Sequence, residues 1–137
     1  MAARLPMPRP VRVFATGVIV AAVAVIGVWF TEKSGDTVTG TARAVDGDSL
    51  FVGGSEIRIR GIDAPELAQT CTRFDRVWPC GREAAEALRL MLSNRDVTCR
   101  PRDRDRYGRI VAVCQAGGVD LGAAMGKGGL AVSYGSY

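Results

Sequence analysis

Two β-prone runs around a pair of glycines restrict the fold of this chain more than any other feature of its sequence. The runs are residues 49–52 and 57–59, and Gly53-Gly54 lies between them. A glycine pair in this position is a strong signal for a β-hairpin with a two-residue turn. We therefore predict a hairpin that gathers residues distant in sequence at one end of a β-sheet.

Charged side chains lie at both ends of this predicted hairpin. Asp46 and Asp48 precede its first strand. Arg58 lies in its second strand, and Asp63 and Glu66 follow that strand. Carboxylate oxygens bind hard divalent cations, and guanidinium groups bind phosphate oxygens bidentately. This end of the sheet is therefore suited to both a divalent cation and an anionic phosphate.

Histidine is absent from the 137 residues of the sequence. Its absence excludes a histidine general base, a histidine-activated serine or cysteine nucleophile, and histidine-ligated zinc. Any acid–base chemistry must therefore use a carboxylate, lysine, tyrosine or cysteine side chain.

The N-terminal segment, residues 1–30, begins with three arginines and continues as an uncharged run over residues 13–30. As a helix, this run would span roughly 27 Å, close to the bilayer's hydrocarbon core of about 30 Å. We expect a membrane anchor; a cleaved signal peptide is the alternative, because Ala22-Val23-Ala24 fits a cleavage site. In both cases residues 31–36 form a linker, and the domain over residues 37–137 is exported to the periplasm or the extracellular space.

The net charge of +4 does not by itself indicate a nucleic-acid partner. Residues 1–30 hold three of the basic side chains and no acidic one, so residues 31–137 carry a net charge of only +1. Evidence for such a partner must come from the arrangement of particular residues.

The exported part has the pattern of a small α+β domain that is mainly β. Strands are predicted at residues 37–45, 96–100 and 110–114, in addition to the hairpin, and a helix with an apolar stripe at residues 82–92. Residues 67–79 are predicted to be a loop, and Asp120 the N-cap of a second short helix. We therefore expect a five-stranded OB-like barrel with two or three short helices, preceded by the N-terminal hydrophobic helix.

Four cysteines lie in the exported part, and export favours disulfides. There is no Cys-x-x-Cys pair to indicate zinc. Residues 105–108 (DRYG) have Asp first and Gly fourth, as a type I turn prefers. Folding the chain about this turn sets Cys99 opposite Cys114, which leaves Cys71 to pair with Cys80. We predict that both disulfides are structural.

Three motifs in this order resemble those of the thermonuclease (staphylococcal-nuclease-like) family. They are residues 46–48 (DGD), 57–66 (IRIRGIDAPE) and 105–109 (DRYGR), with a looser match at residues 125–131 (MGKGGLA). The resemblance runs from about Thr37 to Ala131. It implies an OB-like barrel and Ca²⁺-dependent cleavage of phosphodiester bonds in DNA or RNA, and it implies no protein partner. Family members usually continue into a further helix, so residues 135–137 are expected to be either a natural end or a truncation of the domain.

By motif position, the resemblance implies a Ca²⁺ site. Asp48 and Asp63 would bind the ion through their carboxylates, and Ala64 would bind it through its backbone carbonyl. Ala64 stands where a hydroxyl residue is often found, and a backbone ligand tolerates this change. These ligands would leave positions for water and a phosphate oxygen.

The resemblance also implies three catalytic residues. Glu66 would orient or deprotonate the attacking water, and Arg58 and Arg109 would hold the phosphate. The alternative is a non-catalytic module of the same fold that binds nucleic acid or protein. A further alternative is an exported domain for which Ca²⁺ is only structural.

Overall fold

The computed structural model describes residues 35–134, which contain ten strands and two helices. The strands are β1 (Val38–Ala44), β2 (Ser49–Val52), β3 (Ser55–Ile59), β4 (Ile62–Asp63), β5 (Cys71–Arg73), β6 (Arg76–Trp78), β7 (Asp96–Arg104), β8 (Ile110–Ala116), β9 (Val119–Asp120) and β10 (Val132–Ser133). The helices are α1 (Cys80–Leu92) and α2 (Leu121–Lys127). The predicted anchor or signal peptide over residues 1–30 and the start of the linker lie outside the described residues. Among residues 35–134, no helix is long and apolar enough to cross a membrane.

Five of the strands close into a barrel, which confirms the predicted fold class. Antiparallel pairing connects them in the order β3-β2-β1-β7-β8. Parallel pairing of β3 with β8 then closes the barrel, and β9 pairs with β8 beside it. The closure matters for the site because it places the β3 strand next to the residues that precede β8.

The β2–β3 hairpin has the predicted two-residue turn. Gly53 and Gly54 have φ angles of 57° and 78°, the left-handed conformation that such a turn requires at both positions. The register places Ser49 directly opposite Arg58. Arg58 therefore lies beside the chain segment that contains Asp48.

Alternate residues of the barrel strands fill a single apolar core. Its fully buried members include Leu50, Ile57, Ile59, Ile62, Val97, Ala112, Leu121 and Met125. Helix α1 contributes the apolar stripe predicted from its sequence, with Ala84, Leu88 and Leu92 buried. This helix begins two residues before the predicted start, at Cys80. Asp120 caps α2 as predicted, because its side chain accepts a hydrogen bond from the Ala123 backbone N–H at 2.9 Å.

The prediction of a loop over residues 67–79 is wrong. Strands β5 and β6 form a short hairpin there, with Phe74 and Asp75 at its turn. Both turn residues are left-handed, with φ angles of 50° and 59°. That conformation costs non-glycine residues roughly 1–2 kcal/mol each, and Phe-Asp gives no turn signal in the sequence. We call residues 71–78 the disulfide hairpin, because Cys71 at its start is bonded to Cys80.

Both predicted disulfides are present, Cys71–Cys80 and Cys99–Cys114. Cys99 and Cys114 are register partners on β7 and β8, as folding about the 105–108 turn predicts. These two strands are longer than predicted, and a bulge between Pro101 and Asp103 lets β7 continue toward the turn. A crosslink over about 15 residues stabilises a fold by about 3 kcal/mol in the chain-entropy account.

Candidate active site

One guanidinium group bridges the two carboxylates that are predicted to bind a metal ion. Arg58 Nη1 lies 3.2 Å from Asp48 Oδ1, and Arg58 Nη2 lies 2.6 Å from Asp63 Oδ1. Asp48 precedes β2, Arg58 lies on β3, and Asp63 ends β4. The β2–β3 hairpin and the turn before β4 therefore bring together three charged residues separated by up to fifteen positions.

Asp48 is buried, with only 3% of its surface exposed. Its Oδ1 accepts hydrogen bonds from Ser49 Oγ and Arg58, and its Oδ2 accepts one from the Ala64 backbone N–H at 2.9 Å. Burial raises the pKa of the Asp48 carboxyl above its ordinary value, although the Ala64 N–H and the Arg58 charge oppose this shift. The fold thus holds a carboxylate away from water, where its charge needs a nearby cation.

Arg58 is held by contacts on more than one side. Burial lowers its pKa, but the charge of Asp48 and hydrogen bonds to Asp63 and to the Tyr134 hydroxyl outweigh that effect and raise the pKa above its ordinary value. The guanidinium therefore keeps its positive charge at every physiological pH. Its side chain is 20% exposed, so it stays within reach of a ligand from solvent.

Asp48 and Asp63 are the residues at this end of the barrel that could hold a Ca²⁺ ion. The carboxylates of Asp48 and Asp63 converge on one cationic group, and their oxygens are the hard donors that Ca²⁺ prefers. Within the described part of the chain, no three His, Cys, Asp or Glu side chains are grouped as a metal cluster. The ion would therefore depend on two carboxylates, the Ala64 carbonyl and water, and its binding would require Arg58 to release both aspartates.

Arg109 lies immediately before β8 and is directed toward β3. Its Nε donates to Asp105 Oδ2 at 2.7 Å, and its Nη1 lies 3.5 Å from Glu56 Oε1 on β3. The hydrogen bond to Asp105 raises the pKa of Arg109, while the nearby positive charge of Arg58 acts in the opposite direction. The positive charge of Arg58 is thus close enough to Arg109 to oppose the rise in its pKa.

Asp105 organises the turn that positions Arg109. Its Oδ1 accepts hydrogen bonds from the backbone N–H groups of Tyr107 and Arg109, each at 2.9 Å. The Gly108 N–H donates to the Asp105 carbonyl at 2.9 Å, and Gly108 has a φ angle of 83°. The turn predicted at residues 105–108 is therefore confirmed, and it also orients a candidate catalytic side chain.

The contacts of Asp105 predict a pH-dependent contribution to stability. Desolvation raises the pKa of Asp105, but its hydrogen bonds with the Arg109 side chain and backbone and with the Tyr107 N–H outweigh this and lower the pKa. A carboxyl whose pKa is lowered by folding stabilises the fold above its unfolded-state pKa, and this contribution is lost as the pH falls through the folded-state pKa. Asp105→Asn should lower the free energy of unfolding at pH 7, and the difference from wild type should vanish in acid.

Urea denaturation at a series of pH values between about 2 and 7 measures this difference. Asp103→Asn is the matched control, because Asp103 is exposed and makes no ion pair within residues 35–134. A deficit in Asp105→Asn that stays constant with pH would contradict the predicted role of the charge.

Glu66 is held through its backbone, and its side chain makes no hydrogen bond or ion pair with Asp48, Arg58 or Asp63. Its N–H donates to Gln69 Oε1 at 3.2 Å, and its carbonyl accepts from the Gln69 N–H at 2.8 Å. A Cβ at Gly81 would lie 1.8 Å from the Glu66 carbonyl oxygen, so only glycine fits there. The Glu66 residue is exposed, and its carboxylate makes no hydrogen bond or ion pair within the described residues.

Glu56, Gln69 and Gly81 are parts of this site that sequence reasoning missed. Glu56 contacts Arg109 because of the parallel β3–β8 pairing, for which the sequence contains no local signal. Gly81 directly follows a disulfide cysteine at the start of a helix, where glycine is a poor helix former. A glycine in the first turn of a helix is the sequence signal that another backbone segment, here that of Glu66, lies close to it.

Comparison with known proteins identifies the family. A family model described as "Staphylococcal nuclease homologue" matches residues 56–137. The chain belongs to the staphylococcal nuclease homologue family. Arg58, Asp63, Glu66 and Arg109 lie inside the matched range, whereas Asp48 precedes it.

Three relatives are similar to this chain, and two of them are named as nucleases. The succinoglycan biosynthesis protein ExoI of Rhizobium meliloti is 36% identical over 100 residues, which cover 71% of this chain and 52% of that protein. The probable staphylococcal-like nuclease CAN1 of Oryza sativa subsp. japonica is 37% identical over 91 residues, 66% of this chain and 25% of that protein. The thermonuclease of Staphylococcus hyicus is 28% identical over 131 residues, 83% of this chain and 76% of that protein. The chain thus spans about half of the first relative and a quarter of the second.

Proposed function

We propose that this protein is an exported, Ca²⁺-dependent nuclease that hydrolyses phosphodiester bonds in DNA or RNA. The observation that carries the proposal is the Arg58 guanidinium shared between Asp48 and Asp63. In this arrangement a candidate phosphate-binding group lies within hydrogen-bond distance of two candidate metal ligands. Export is proposed from the N-terminal sequence pattern alone.

Arg58 has two alternative sets of partners in this proposal. Ca²⁺ bound by Asp48, Asp63 and the Ala64 carbonyl would polarise the phosphoryl group and offset its negative charge. Once the carboxylates serve as metal ligands, both Nη atoms of Arg58 become available to donate to phosphate oxygens. The guanidinium pairs with buried Asp48 and exposed Asp63 before the ion binds, and with the phosphate afterwards.

Arg109 provides the second cationic contact to the phosphate. Asp105 and Glu56 hold its guanidinium near Arg58 and leave its side chain 27% exposed. In-line displacement at phosphorus builds negative charge on the equatorial oxygens. Two permanently protonated guanidinium groups can donate to those oxygens without any proton transfer.

Glu66 is the candidate general base. Its exposed carboxylate can take a proton from a water molecule as the water oxygen forms a bond to phosphorus. The bond between phosphorus and the leaving oxygen then breaks, and that oxygen takes a proton from solvent. Because the Glu66 carboxylate makes no ion pair within residues 35–134, no contact has to break before it accepts the proton.

Digestion of labelled DNA and RNA oligonucleotides by the full chain tests this function. We expect fragments in Ca²⁺ and none in excess chelator. The alternative function, a non-catalytic module of the same fold, predicts oligonucleotide binding without fragments in either condition. Fragments that form equally in chelator would contradict the proposed role of Ca²⁺.

A further inference from the structure

The disulfide hairpin presents a large aromatic side chain to solvent at its tip. Phe74 is 88% exposed, and it occupies a left-handed position that favours glycine or asparagine. A side chain so exposed contributes little to the core, and its backbone conformation is unfavourable for its residue type. Folding therefore gives no reason for phenylalanine at this position, which suggests that the ring binds something outside the domain.

The tip of the hairpin also carries two cations. Arg73 and Arg76 are register partners that flank the turn, and like charges in directly opposed positions weaken strand pairing. The Arg73 Cζ atom lies 5.7 Å from the centre of the Phe74 ring. Neither arginine makes an ion pair with an acidic residue in the described part of the chain. Asp75, in the turn itself, is the acidic residue of this tip.

The base of the hairpin is fixed to the segment that contains the candidate general base. The Cys71–Cys80 disulfide closes the hairpin, and the Gly81 N–H donates to the Gln69 carbonyl at 3.1 Å. Gln69 in turn exchanges two hydrogen bonds with Glu66. The base of the hairpin is thus connected to the Glu66 segment by a disulfide and hydrogen bonds.

A surface groove of about 510 Å³ runs beside the hairpin. Thr72, Arg73 and Trp78 form one side of it, and its other lining residues are Glu83, Gly128, Gly129 and Leu130. The volume falls within the range of about 300–1,000 Å³ found for small-molecule sites. The groove therefore offers space for part of a ligand that also contacts the tip.

We propose that the disulfide hairpin binds a single-stranded segment of nucleic acid, with Phe74 stacked on an unpaired base and Arg73 and Arg76 on phosphates. Aromatic stacking and arginine contacts together are the means by which proteins bind single strands without base-specific hydrogen bonds. A polyanion also complements the two opposed arginines. The inference rests on the proposed function, because it assigns the substrate of that same site a further contact.

Phe74→Asn separates this role from folding, because asparagine favours the left-handed turn conformation. We expect the Kd for a fluorescent single-stranded oligonucleotide, measured in chelator, to rise about 5- to 150-fold, as expected for loss of one base stack. In Ca²⁺, the KM for cleavage should rise by a similar factor with kcat unchanged, while the urea midpoint of unfolding stays equal or increases.

Val77→Thr is the matched control. Val77 is 72% exposed but lies on the opposite face of the hairpin from Arg76, so this variant should bind like wild type.

The outcomes distinguish this inference from the proposed nuclease function. Cleavage by wild type, with Kd and KM unchanged in Phe74→Asn, would overturn the inference and leave the nuclease function intact. Binding without cleavage, lost in Phe74→Asn, would support the inference and reject the nuclease function. Absence of both binding and cleavage in wild type would reject both. If Phe74→Asn lost the binding to phosphatidylserine vesicles that wild type shows, and its oligonucleotide binding stayed unchanged, the hairpin would be a membrane-binding element. That result would overturn the inference.

Discussion

Glu66→Gln should slow cleavage of nucleic acid by about 10²- to 10⁴-fold, the contribution typical of a positioned general base. Glutamine keeps the size of the side chain but cannot accept the proton of the attacking water. The Glu66 carboxylate makes no hydrogen bond or ion pair within residues 35–134, so its replacement should not disturb the fold. The Kd for substrate should therefore stay within about twofold of wild type, since the base acts in the chemical step.

Single-turnover rates in saturating Ca²⁺, together with oligonucleotide Kd values in chelator, measure the two quantities separately. Glu86→Gln is the matched control, because Glu86 pairs with Arg89 on the exposed surface of α1. An exposed pair of this kind contributes little to stability and nothing to this site. A wild-type cleavage rate in Glu66→Gln would contradict a role for Glu66 in the mechanism. The binding-module alternative predicts that the wild-type protein itself shows no Ca²⁺-stimulated cleavage.

Arg109→Ala should slow cleavage by about 10²- to 10³-fold, the loss typical of one preorganised donor to a developing anion. The guanidinium has a fixed position because Asp105 and Glu56 hold it from two sides. Removing it takes away charge stabilisation in the transition state, so kcat should fall more than substrate affinity. Arg109→Lys should recover only part of the rate, because an ammonium group cannot donate bidentately.

Arg60→Ala is the control for the effect of removing a positive charge. Arg60 directly follows β3, is exposed, and makes no ion pair in the described part of the chain. Its loss should change the rate by less than about threefold, in keeping with a screened surface charge. Equal losses in Arg60→Ala and Arg109→Ala would show that general electrostatic attraction, and not a positioned arginine, accounts for the effect. The comparison should be made at two salt concentrations.

The features that the sequence predicted correctly have local chemical signals. The Gly53-Gly54 pair indicates a left-handed turn because other residues seldom adopt that conformation twice in succession. The Asp105 turn let the pairing of Cys99 with Cys114 be predicted from chain symmetry, since register is set by the turn. The family motifs then suggest candidate roles for residues whose positions those turns define, and these roles stay predictions.

The features that the sequence did not predict depend on tertiary context. The disulfide hairpin has Phe74 where a glycine or asparagine would signal a turn, so the sequence predicts a loop there. The Glu56–Arg109 contact requires the parallel β3–β8 pairing that closes the barrel. The bridge from Arg58 to Asp48 and Asp63 includes the buried Asp48 carboxylate. Its burial depends on the folded chain and has no local signal in the sequence.

The dependence of the initial cleavage rate on free Ca²⁺, for wild type and Asp63→Asn, tests the proposed active site most directly. Asp63 is exposed at the end of β4, so asparagine there should leave the fold unchanged while removing one charged ligand. We predict no cleavage in excess chelator and a saturable rise with Ca²⁺ in wild type. The midpoint should lie at a Ca²⁺ concentration at least about tenfold higher in Asp63→Asn, because ligand charge sets the affinity of Ca²⁺ sites. A rate that persists in chelator, or an identical Ca²⁺ dependence in both proteins, would contradict a Ca²⁺ site at Asp48 and Asp63.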